Sequence, residues 1–121
     1  MALKTVRLEL ARCPGFPGGS GAHGYEFVAP LTADGHVDVE AWRQHRRDCR
    51  VRRFWAGEPD QHGHLIHTRR RTWVFHYDLD REPAEDEPGY RFDAHVFKPD
   101  EYVSITEHDG VTRPFKVVSV R

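Results

Sequence analysis

The chain has 121 residues, 38% of them hydrophobic and 31% charged, with three Trp, four Tyr and seven Phe. That size suits one compact domain over 1–121, and the aromatic content supplies enough apolar area for a core, which argues against wholesale disorder. With a net charge of −1 the chain has no global field to draw in nucleic acid or an anionic membrane, so an electrostatic partner must meet a local patch.

The first element is a strand over 5–13, where Val6, Leu8 and Leu10 alternate with Arg7, Glu9 and Ala11. From Cys13 to Gly24 there are two prolines and five glycines, a composition that predicts a flexible loop over 13–24. YEFVAPL, 25–31, returns to alternation and ends near Pro30. A helix is predicted over about 38–49. Asp38 can cap it, and Val37 and Trp42 can form a hydrophobic staple. Its apolar stripe of Val39, Trp42, His45 and Cys49 is narrow, so it is expected to lie across the outside or the mouth of a sheet.

RVRRFWAGE, 50–58, reads as β, with Val51 and Trp55 on one side and Phe54 on the other. HLIHT and TWVFHYDL follow as a hairpin joined through Arg69, Arg70 and Arg71. An acidic loop with two prolines spans 79–89. Strands in YRFDAHVF, EYVSI and RPFKVVSV complete the chain, the last two joined at Asp109–Gly110, a strong hairpin signal. The fold class expected is α+β, mainly β: a small bent antiparallel sheet or partly open barrel of about seven strands with one α-helix.

Cys13 and Cys49 are the two cysteines, and neither lies in a CxxC pair. The opening residues lack the apolar run of a signal peptide, and no stretch approaches the roughly 20 apolar residues of a membrane span. A reduced, cytoplasmic protein without a membrane partner is the expectation.

DQHGHLIHTRR, Asp60 to Arg70, concentrates three histidines ahead of a basic run. In extended chain His62 and His64 point one way with Ile66, while Leu65 and His67 point the other. A three-residue arginine loop would set His64 opposite His76, Leu65 opposite Phe75, His67 opposite Trp73 and His62 opposite Asp78. His62, His64, His76 and Asp78 would then share a face, as ligands that zinc or another transition metal accepts. A slip of one residue dissolves the set, the spacing matches no strong metal motif, and exposed imidazoles on a strand usually meet water. No cofactor is the expectation.

Arg43, Arg46, Arg47, Arg50, Arg52 and Arg53, with Trp55, form the other candidate set: a phosphate-tracking surface with a stacking platform for nucleic acid. Arginines closing a helix also complement its dipole, and the acidic loop nearly cancels the charge. CPGFPGGSGAHG is not a phosphate loop, because no GK[ST] follows it. Cys49 near His45 reads as a buried cysteine rather than a nucleophile, and the acids at 78–87 do not follow a calcium-loop order. No catalytic motif is present, so an enzyme is not favoured.

CRVRRFWAGEPDQHGHLIH and FKPDEYVSITEHDGVTRPFKVVSV together resemble a group of small bacterial proteins with no assigned function. The second stretch is similar to the closing strands of small PUA-like and SH3-like barrels. That likeness implies a small β-barrel and adds weight to nucleic-acid binding by analogy alone. The leading expectation is a non-catalytic binding or interaction module, with a protein partner favoured over nucleic acid, and a metal site third.

Overall fold

Alternation of apolar and polar residues decides how the wall of the protein is built. The computed structural model describes residues 3–67, 73–76, 90–92, 96–107 and 110–121. Among them are eight strands: β1 Leu3–Leu10, β2 Ser20–Pro30, β3 Arg50–Trp55, β4 Glu58–His67, β5 Trp73–His76, β6 Tyr90–Phe92, β7 Tyr102–Thr106 and β8 Thr112–Val120. Each pairs antiparallel with the next, and β8 returns to β1, so the sheet closes into a barrel. The expected architecture of mainly antiparallel β structure holds, with eight strands in place of about seven.

Val6 and Leu8 on β1, Tyr25 and Phe27 on β2, Leu65 on β4, Phe75 on β5, Ile105 on β7 and Phe115 on β8 all turn inward and are buried. A barrel this small has an interior that side chains fill. Phe75 lies 5.2 Å from Tyr25 and 5.3 Å from Phe27, centroid to centroid, and Phe115 lies 5.1 Å from Tyr25. Burying each such side chain contributes roughly 1.5–3 kcal/mol, so this aromatic column is a large contributor to stability.

The segment 13–24 is only partly a loop. β2 begins at Ser20, and β1 accommodates it through a register shift: Glu9 pairs with Gly24 while Leu10 pairs with Ser20. Cys13 and Phe16 exchange backbone hydrogen bonds of 3.1 and 2.8 Å, which fastens the remaining turn. Gly24 is required at the shift, because a Cβ there would stand 2.0 Å from the Leu8 carbonyl oxygen and 2.9 Å from Phe54 Cζ.

The helix expected over 38–49 does not form as one element. An α-helix, α1, covers only Val39–Gln44, and a separate 3-10 turn covers Arg46–Asp48. The N-cap is as expected, with the Ala41 N–H donating to Asp38 Oδ1 at 3.1 Å. The helix stops because His45 leaves helical geometry at φ −124°, its N–H shared between the Ala41 and Trp42 carbonyls. The chain then delivers Cys49 to the core. Trp42 donates its indole N–H to the Leu65 carbonyl at 2.8 Å and meets Trp73 edge-on at 5.6 Å. Trp42 thus anchors the short α1 against β4 and β5.

At one end of the barrel the hairpins turn. β3 passes to β4 through Ala56 and Gly57. Between β7 and β8 the Glu107 N–H donates to the Val111 carbonyl at 3.0 Å, and the Gly110 N–H donates to the Glu107 carbonyl at 2.8 Å. Gly110 sits at φ 82°, which glycine adopts without strain, and Asp109 lies outside the described residues. Among the described residues, no helix is long and apolar enough to cross a membrane.

Candidate binding site at the barrel mouth

Strand parity carries charge into the interior at this end of the barrel. On β3, Arg53 lies between Val51 and Trp55 and faces inward with them; directly opposite on β2 stands Tyr25. On β7–β8, Arg113 pairs with Ile105, and Glu107 continues the inward series of Val103 and Ile105. These strands aim a phenol, two guanidiniums and a carboxylate at one point.

The Tyr25 hydroxyl donates to Glu107 Oε2 at 2.5 Å, Arg53 Nε donates to the same oxygen at 3.0 Å, and Arg113 Nη1 donates to Oε1 at 2.6 Å. Glu107 is 1% exposed and Arg53 5%, so the charges are held out of water by mutual pairing. Burial works against the Arg53 cation, but Tyr25 and Glu107 outweigh it, and the guanidinium is held more firmly protonated than usual. Both Glu107 oxygens are engaged by donors, and the arrangement fixes two guanidiniums in space.

Above this cluster is an aromatic rim. Arg53 lies 4.2 Å from the Trp55 ring centroid and Arg113 lies 5.7 Å from it. His23 meets Trp55 edge-on at 4.5 Å and Phe16 at 4.9 Å. Ser20 Oγ, 2.6 Å from His23 Nδ1, orients the imidazole while accepting the Ala22 N–H. Glu58, exposed at the start of β4, lies 3.3 Å from Arg53 Nη1.

The candidate nucleic-acid residues do not gather on one surface. Arg43 pairs with Glu40, and Arg46 stacks over Trp42 at 5.2 Å. Arg47 and Arg50 are exposed. Arg52 is bound to Asp60 at 3.0 Å and approaches Glu26 at 3.8 Å. Arg53 belongs to the buried cluster, and Trp55 sits at the mouth, a strand length of roughly 17 Å from Arg50. The reason is again parity: Arg50 and Arg52 share the outer face of β3, whereas Arg53 faces inward.

The histidine register is as expected, with His64 opposite His76, Leu65 opposite Phe75 and His67 opposite Trp73. His62 pairs with Arg52 and His64 with Arg50 on the other side of β4. Asp78, Tyr77, Arg69 to Arg71 and the acidic segment 79–89 lie outside the described residues. Among the described residues, no three His, Cys, Asp or Glu side chains converge as metal ligands. Cys49 is fully buried, and burial with the adjacent Asp48 charge pushes its thiol from 9.0 up to about 11, so it is a packed thiol rather than a nucleophile.

No protein family, curated protein or solved structure matches this chain. The site rests on its geometry alone. Tyr25, His23, Glu107 and Arg113 were not singled out from sequence as functional residues. Their signal was their parity: each of the two charged residues falls in step with apolar neighbours two positions away.

Proposed function

We propose that the protein is a non-catalytic binding module that meets a protein partner at the barrel mouth around Trp55. The observation that carries this reading is a half-buried Trp55 braced by Arg53 and Arg113, both tied to the buried Glu107. Tryptophan and arginine dominate the energetics of protein interfaces when they are held in place before the partner arrives. Val111, an apolar residue in the β7–β8 turn beside Glu107, is 46% exposed at the same end of the barrel. Engagement of both Glu107 oxygens favours recognition over catalysis.

The test is a capture experiment on nuclease-treated, chelated extract with wild-type protein, Trp55→Ala, Val111→Asp and the distant control Arg47→Ala, each first shown to unfold with an unchanged cooperative transition. One stoichiometric protein, held by wild type and the control and lost by both mouth variants, supports the reading. Retention by both mouth variants, or no stoichiometric partner at all, overturns it.

A further inference from the structure

A second, separate feature lies on the outer wall. Between β1, β2, β3 and β4 there is a cleft of about 210 Å³ lined by Thr5, Glu26, Val28, Arg50, Arg52 and His62 among others. Arg50 and Arg52 are two apart on β3 and so share this outer face, and His62 stands directly opposite Arg52 on β4. Arg50 and His62 are exposed, and among the described residues neither side chain has a hydrogen-bond or ion-pair partner. Arg52 is fixed from two sides by Asp60 and Glu26, so its remaining N–H groups are held in place.

We propose that this cleft binds a phosphate group. Two guanidiniums and an imidazole surround the opening, which matches the demand of a phosphate for several charge-assisted donors arranged around it. The volume is below the roughly 300–1,000 Å³ of a whole small-molecule site, so the cleft takes the phosphate and leaves the remainder of the ligand outside. Glu26 is the acid in the lining and opposes the anion; its carboxylate lies between Arg7, at 3.4 Å, and Arg52, at 3.8 Å, and these two guanidiniums offset its charge. The proposal uses a different face from the mouth and stands or falls independently of the proposed partner there.

The experiment follows the His62 imidazole by NMR at fixed pH and ionic strength while inorganic phosphate is titrated, with chloride as the reference, and then repeats the titration with a short single-stranded oligonucleotide. Saturable shifts with phosphate, weakened at least tenfold in Arg50→Ala, strengthened several-fold in Glu26→Gln and unchanged in Arg47→Ala, are expected. If the oligonucleotide binds with the same dependence on Arg50, the phosphate belongs to a nucleic-acid backbone; if inorganic phosphate alone binds, it belongs to a small phosphorylated ligand. Shifts that chloride reproduces, or that survive Arg50→Ala at full affinity, overturn the assignment.

Discussion

Tyr25 and Arg53 face each other across β2 and β3, and both end on one oxygen of Glu107, at 2.5 and 3.0 Å. A carboxylate from the far end of the chain thereby joins two strands it does not pair with. The cost of removing it depends on what is left behind.

Glu107→Gln removes the buried carboxylate that pairs with Arg53 and leaves the exposed Glu58, 3.3 Å away, as a weaker counter-charge. Breaking a buried pair from one side costs about 3–5 kcal/mol, whereas Tyr25→Phe removes one hydrogen bond to a charged acceptor and costs about 1.5–3 kcal/mol. Urea unfolding of both single variants and the double variant checks the ranking. The double variant is expected to lose less than the sum, because the two share one acceptor atom.

Gly24→Ala is expected to destabilise by about 3 kcal/mol or more, since backbone rather than a mobile side chain blocks the added methyl. Gly18→Ala, with open space around its Cβ, is expected to be close to neutral. Thermal unfolding of the pair separates a packing effect from a general loss of glycine.

Cys49 gives the barrel a pH dependence on the alkaline side. An unfolded thiol releases its proton near 9.0, while the folded one holds it to about 11. Between these values the native state binds more protons than the unfolded state, so stability falls as pH rises, at no more than about 1.4 kcal/mol per unit. The slope of stability between pH 9 and 11 is expected to flatten in Cys49→Ala relative to wild type. In the native protein a thiol reagent is expected to modify the half-buried Cys13 and spare Cys49.

Asp38→Ala removes the one side-chain cap of α1 and is expected to cost about 1 kcal/mol. Hydrogen exchange of the Ala41 amide, which donates to Asp38 Oδ1, is expected to accelerate more than that of the Leu65 amide, which donates to the Cys49 carbonyl.

Much of the wall was legible in the sequence because strand parity is a local property. Val6, Leu8 and Leu10 announce β1, and the pairing of His64 with His76 is the register that a three-residue arginine loop sets, one residue away from the slip that the sequence left open. What escaped has long-range causes. The helix ends at Gln44 because Trp42 must reach Leu65 and Cys49 must enter the core, contacts that local propensity does not encode. Ser20 to Gly24 joins β2 because β1 shifts register there to receive it, despite a composition suited to a loop. Arg53 was read by its charge, as surface, when its position between Val51 and Trp55 put it inside. Its buried partner Glu107 lies more than fifty positions away, so no window around β3 could have revealed the carboxylate that makes its burial tolerable.

The pairing of β1 with β8 joins Val6 to Val120 across nearly the whole sequence. During synthesis β1 can zip to β2 early, but its other edge stays open until β8 has cleared the ribosome. For that interval Leu8 and Leu10 flank an unprotected ladder, the situation in which nascent chains recruit chaperones or stick to one another. Slow, late ring closure is therefore built into the order in which these strands are made.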